Sequence, residues 1–207
     1  PSEPVSLVNP FIGTSGTKIG GPIDTFPGAT VPFGMIAWSP DTPSMPAGGG
    51  YDYGDHDITG FSLTHLSGPG CNVFGDVGVL PLVGELGGDL AAEKVPFSHA
   101  SEQASPGWYA VTVGNDPGTR VELTATERSG LGLFSFPSTE KANLLVNVSS
   151  DQAGVTAASV RVVGERELVG SATSGSFCGM PDRFTVYFVA QFNRDFSSFG
   201  TWRSERV

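Results

Sequence analysis

The chain has 207 residues, with 29 glycines, 16 prolines and 21 acidic against 11 basic side chains, for a formal charge of −10. So much glycine and proline argues against a mostly helical protein, and the acidic balance argues against nucleic acid or an anionic membrane as partner. With 39% hydrophobic and 15% charged residues the length suits one folded domain, and no apolar run reaches the roughly 18 residues of a spanning helix, so no membrane insertion is expected.

The chain begins at Pro1 without a visible leader, which reads as a processed start. From position 8 to 88 glycine or proline recurs every few residues, as at Gly13, Gly16, Gly20-Gly21-Pro22, Pro27-Gly28 and Gly48-Gly49-Gly50. No helix of useful length fits between them. Apolar or alternating runs at 35–38, 58–63 and 77–83 predict strands separated by long glycine-rich loops, and loops of that length usually carry function. The one helix candidate, 86–93, is weakened by its own glycines. Alternation resumes at 107–113, followed by a turn at 114–118. Further strands are predicted at 119–129, 132–136, 144–148, 159–163, 167–172 and 185–192. Short strands with turn signals between them, and no helical spacing, indicate an all-β fold: an antiparallel β-sandwich or barrel. The chain stops at Val207 in what reads as a strand or linker, which suggests one piece of a longer protein.

The stretch Gly60-Phe61-Ser62-Leu63-Thr64-His65-Leu66-Ser67-Gly68-Pro69-Gly70-Cys71-Asn72 is the most unusual. A strand entering a glycine–proline turn brings His65, Ser67 and the N–H groups of Gly68 and Gly70 together. Such a group can hydrogen-bond a sugar or an anion, or can equally be a tight turn with a structural histidine. Ser67 and His65, two apart on a strand, share a face as a nucleophile–base pair would, but no Gly-x-Ser-x-Gly elbow supports serine-hydrolase chemistry. The stretch 25–35 reads as a rigid loop held by Phe26 and Phe33. Asp52, Asp55 and Asp57 sit within six residues and suggest calcium or a solvated acidic loop, and Tyr51 and Tyr53 beside them suit sugar stacking. No pair of carboxylates is singled out by spacing as an acid and base for glycoside hydrolysis, and no phosphate loop or dinucleotide fingerprint occurs. Asn147-Val148-Ser149 fits a glycosylation acceptor. Cys71 and Cys178 read as a disulfide if the protein is exported, or as two buried thiols.

Three motifs in order carry a resemblance. They are Val8-Asn9-Pro10-Phe11-Ile12-Gly13-Thr14; then Thr25-Phe26-Pro27-Gly28-Ala29-Thr30-Val31-Pro32-Phe33-Gly34-Met35; then Gly60-Phe61 with Thr64-His65-Leu66-Ser67-Gly68-Pro69-Gly70-Cys71. With 186–194 and 199–202, they resemble the first domain of the glycoside hydrolase family 92 α-mannosidases over nearly the whole chain.

The resemblance implies an N-terminal β-sandwich over 1–207, followed by an (α/α)6-barrel domain that lies beyond this chain. It implies inverting removal of terminal α-linked mannose, with mannosyl phosphodiesters among the family's substrates. Catalytic residues and calcium are then expected mainly in the barrel, the partners being that barrel and a mannose-containing glycan. His65, Ser67, Gly68, Gly70 and Cys71 become the expected substrate-pocket residues, in a secreted or cell-surface bacterial enzyme. An isolated domain would expose the apolar face that meets the barrel. A stand-alone carbohydrate-binding module is the alternative. The segment 18–24 and the loop 45–50 depart from the family's Gly-His-Gly-His-like and Trp-containing segments, so the leaving-group subsite is expected to differ.

Overall fold

A computed structural model describes residues 3–15 and 24–203. The expectations that fall on Pro1, on Gly16, on the turn at 20–22, on the 18–23 part of the divergent segment and on 204–207 lie outside the described residues.

Two antiparallel sheets form the predicted sandwich. The first has five strands, in the spatial order β1 (Ala29–Thr30), β2 (Ala37–Asp41), β4 (Gly60–Ser62), β5 (Gly78–Val83) and β11 (Ala142–Asn147). The second has four: β10 (Gly130–Ser135), β9 (Thr119–Ala125), β8 (Trp108–Val113) and β7 (Gln103–Ser105). A two-stranded ribbon pairs β3 (Asp57–Ile58) with β6 (Val95–Pro96). A third sheet orders β12 (Ala157–Val163), β13 (Glu167–Gly175) and β14 (Arg183–Gln191).

The period-2 alternation read in the sequence is what fills the core. Tyr109, Val111 and Val113 of β8 and Val121 and Leu123 of β9 point inward and are buried, facing Trp38, Phe61, Leu80, Leu82 and Leu145 of the other sheet. Each such side chain contributes about 1.5–3 kcal/mol by leaving water. Trp38 is buried in the core between the sheets. Its indole N–H donates to the Phe61 carbonyl at 3.0 Å, and its ring lies over β10. A methyl group on Gly130 or Gly132 would come within 2.6 Å of that ring, so only glycine lets the sheets approach there.

One polar cluster lies inside this core. Glu102 accepts from the hydroxyls of Tyr51, at 2.9 and 3.0 Å, and Tyr109, at 2.5 Å, and contacts His99 Nδ1 at 2.5 Å. Burial, and then the charge of Glu102, push both phenols well above their ordinary range, so they stay protonated donors.

Three expectations change. Positions 86–93 hold only a single 3-10 turn, Leu90–Ala92, whose start is capped by Asp89; Gly87 and Gly88 immediately before it leave no room for more. The strand expected to run to 129 stops at Ala125, where residues 126–129 turn back into β10 through Thr126 N–H to Ser129 O at 2.7 Å. Phe33 does not hold its loop: it is fully exposed, with a left-handed backbone (φ 60°), while Phe26 packs on His65. The brief strands β1, β6 and β7 show no periodicity in the sequence, because two or three residues are too few to display one.

Leu123→Ala should lower stability by about 3 kcal/mol, read as a fall in the urea midpoint, because a cavity replaces a core side chain. Leu131→Ala, at a side chain 72% exposed, should move it by about 0.5 kcal/mol or less.

Candidate functional site

The predicted pocket residues sit on an excursion of the chain between β4 and β5. Its two ends are clamped to each other. Leu63 N–H donates to Asp76 O and Gly75 N–H to Thr64 O, both at 2.8 Å. The Thr64 hydroxyl donates to Asp76 Oδ2 at 2.7 Å and accepts from Asp76 N–H at 2.9 Å. Between these ends the chain projects outward and leans on neighbouring loops, through Leu66 N–H to Gly48 O at 3.0 Å and Gly68 N–H to Asp24 O at 2.7 Å.

His65 is the prop under this loop. Its side chain has no solvent exposure. Nδ1 donates to the Ala37 carbonyl at 2.7 Å, which fixes the proton on that nitrogen. Nε2 lies 3.1 Å from Asp41 Oδ1 and 3.2 Å from Ser62 Oγ, and Asp41 Oδ2 accepts from Ser62 N–H at 3.0 Å. Gly50 (φ 69°) closes over the pair; a methyl group there would sit 2.6 Å from Asp41 Oδ1 and 3.0 Å from His65 Nε2. Both ring nitrogens are therefore occupied within this domain. His65 shapes the loop without a free face toward a ligand, and Ser67, which is exposed, forms no pair with it. Ser67, Gly68 and Gly70 are at the surface, with the Gly68 N–H already committed to Asp24.

Cys71 is bonded to Cys178, 107 positions later in the chain, with Cα atoms 5.2 Å apart. The bridge ties the loop to the turn Phe177–Gly179, which joins β13 to β14. Beside it runs a polar groove whose walls include Gly70, Cys71, Asn72, Gln152, Ser176 and Gly179. The sequence reading named Gly70 and Cys71 as expected pocket residues and kept Asn72 in the same stretch, but missed Gln152 and the 176–179 turn. No local signal marks these, because the disulfide and the sheet crossover bring them together. Gln152 is the main support: its Oε1 accepts from Gly48 N–H at 2.9 Å, its Nε2 lies 3.3 Å from Pro46 O, and its backbone N–H donates to Phe74 O at 2.7 Å. Ser176 and Cys178 in the groove wall, and Phe74 and Val77 where the loop returns to β5, have left-handed backbones, with φ between 48° and 63°. Such conformations cost on the order of 1–3 kcal/mol each and persist where the surroundings hold them; they concentrate at binding sites. Amide and hydroxyl groups on an open polar surface suit the hydroxyls of a sugar.

The acidic loop is committed elsewhere. Asp52 Oδ1 accepts from Gly54 N–H at 2.7 Å, Asp55 holds both the N–H and the hydroxyl of Ser44 at 2.8 Å, and Asp57 pairs with Lys94 at 2.7 Å. Among the described residues no group of three His, Cys, Asp or Glu side chains could hold a metal ion. Tyr51 is buried under Glu102, so the two tyrosines do not act together; Tyr53 is exposed and stacks on His99, with ring centres 3.9 Å apart.

The sequence model of the Glycosyl hydrolase family 92 N-terminal domain matches residues 7–207. A relative from Arthroderma benhamiae named "Uncharacterized secreted glycosidase" is 34% identical over 131 residues, which are 59% of this chain and 16% of that protein. The family GH92 alpha-mannosidase BT3965 from Bacteroides thetaiotaomicron superposes with a TM-score of 0.81 at 32% identity, over 93% of this chain and 26% of its own. The family GH92 inverting mannosidase BT2199 from Bacteroides thetaiotaomicron VPI-5482 gives 0.72 at 34% identity, over 89% and 24%. The chain thus spans about a sixth of the secreted relative and about a quarter of each solved mannosidase.

Replacing both cysteines by serine should cost about 2–5 kcal/mol in chemical denaturation, as expected for opening so long a loop. His65→Ala should cost about 1–3 kcal/mol, because it leaves the Asp41 carboxyl and the Ala37 carbonyl buried without their hydrogen-bond partner.

Proposed function

The chain belongs to glycosyl hydrolase family 92, as its N-terminal domain, and from that premise we propose that it supplies substrate-contacting loops to an enzyme that removes terminal α-linked mannose with inversion. The match of the family model over residues 7–207 carries this reading. The groove beside the Cys71–Cys178 bridge is the surface we assign to the sugar, with Ser67, Gly70 and Asn72 at its edge. His65 acts as a positioning residue.

Inversion needs an acid and a base about 6.5–9.5 Å apart, with water between them. No pair of carboxylates on this domain is nominated for those roles, and we assign the catalytic pair to the remainder of the protein, read as an (α/α)6 barrel. Calcium goes there too: the described residues offer no metal cage, and no step on this domain runs through the ion. The third sheet supports a further partner domain. Val186, Phe188 and Ala190 on one face of β14 are half-buried, and Tyr187 and Val189 on the other are exposed. Phe33 and Met35 are exposed as well.

Export to the cell surface or beyond fits the disulfide, which persists in oxidising compartments, and the secreted relative. A bacterial source is read by analogy with the two Bacteroides enzymes.

The test is the full-length protein incubated with aryl and oligosaccharide α-mannosides and followed by proton NMR. β-Mannose should appear first, and Asn72→Ala should lower kcat/KM by about tenfold, roughly 1.4 kcal/mol of lost binding. Failure to hydrolyse any α-mannoside or mannosyl phosphodiester overturns the reading. Mannose binding without turnover would instead favour a carbohydrate-binding module.

A further inference from the structure

Behind the groove two carboxyls meet out of water. Asp76 and Asp151 are 1% and 5% exposed. Asp76 closes the loop that begins at Thr64, and Asp151 opens the turn that follows β11. One oxygen of each is satisfied, Asp76 Oδ2 by the Thr64 hydroxyl at 2.7 Å and Asp151 Oδ1 by Ala153 N–H at 2.7 Å. The other two, Asp76 Oδ1 and Asp151 Oδ2, are buried with no donor, on segments that lie side by side: Gln152 N–H donates to Phe74 O at 2.7 Å and the Ser150 hydroxyl to Gly75 O at 2.5 Å. Two carboxylate oxygens cannot bond to each other unless a proton lies between them.

We propose that Asp76 and Asp151 share one proton, and that this carboxyl–carboxylate latch holds the wall of the groove against the turn that carries Gln152. The surroundings favour it. Thr64 and His65 face Asp76, and Ser174 and the Ala153 N–H face Asp151. His65 is already engaged by Asp41 and by the Ala37 carbonyl. Burial raises both carboxyls, and Asp76 further helps bring Asp151 up to about 6.

The latch has mechanical reach. Asp76 lies between the left-handed residues Phe74 and Val77. The Phe74 carbonyl accepts from Gln152 N–H, and the Gln152 side chain holds Gly48 and Pro46. Loss of the proton sets two negative charges in contact at this junction and loosens all three loops together.

The sign follows from linkage. The unfolded carboxyl loses its proton near 3.8, whereas folded Asp151 keeps its proton to about 6. The contribution to stability is therefore greatest in acid and falls as pH rises through that interval. That the latch tunes sugar binding rests on the function proposed above; the latch itself does not.

The experiment is amide hydrogen exchange on the full-length protein from pH 5 to 7.5, expressed as protection factors for 64–76 and 147–154. Wild type should lose about tenfold or more in protection across that range. Asp151→Asn, whose amide N–H donates permanently to Asp76, should keep its protection and match or exceed wild type at pH 7.5. Asp151→Ala should be poorly protected throughout. KM for an α-mannoside should rise with pH in wild type and stay flat in Asp151→Asn. The latch is overturned if wild-type protection is flat, or if Asp151→Asn is as poorly protected as Asp151→Ala at pH 7.5. It is also overturned if calcium restores protection at pH 7.5 in wild type and not in Asp151→Asn, since a cation would then occupy the gap. Expected protection in a protein that cleaves no mannoside upholds the latch and refutes the proposed function. Cleavage with pH-insensitive protection does the reverse.

Discussion

The imidazole of His65 spans strand β2, bonded at one nitrogen to the carbonyl of Ala37 and at the other to the carboxylate of Asp41. That arrangement fixes where the chain leaves β4, because Ser62 binds the same carboxylate through its N–H. It also brings in the glycine-rich loop, because Gly50 fits over the pair only without a side chain. Losing one partner of such a buried contact is costly, because the other polar group is left inside without its hydrogen bond. The consequence of the contact here is a single path for three loops that carry no regular structure of their own.

The sandwich and the loops divide the work. Hydrophobic packing between β2, β4, β5 and β11 on one side and β8 and β9 on the other supplies a rigid base. The loops are then held by hydrogen bonds and one covalent bridge. This order explains why left-handed residues occur in the groove wall and where the loop returns to β5: strained backbone survives only where a stable frame over-determines it. Gln152 is the clearest case, with backbone and side chain together tying the 147–154 turn to the loops at 46–48 and 74.

The acidic character of the chain has two physical meanings. Part of it is surface charge, as in the exposed Glu85 and Asp195. Part is interior: Asp24, Asp41, Asp76, Asp151 and Glu102 are all buried or nearly so. Asp41 has a histidine, Glu102 has two phenols and a histidine, and Asp76 and Asp151 are the pair to which the shared proton is assigned. A count of charges cannot separate these cases.

Strand content, the antiparallel sandwich and the location of the unusual loops were legible in the sequence, because period-2 alternation and glycine–proline punctuation are local consequences of pleat and turn geometry. β8, β9 and β14 are long enough to show it, while β1, β6 and β7 are not. The motifs around 9–14, 25–35 and 60–71 were enough to indicate the family. What those residues do individually was decided by the tertiary structure. His65 lies inside because Ala37 and Asp41, over twenty positions earlier, provide its partners. Phe33 lies outside because its backbone turns left-handed. Cys71 is a bridge because Cys178 arrives from the β13–β14 turn. Gln152 and Asp151 belong to the groove only through contacts that cross 75 to 106 residues of chain. Local pattern reports the environment of a residue along its own strand; burial, pairing and shared protons depend on which distant segments fold against it.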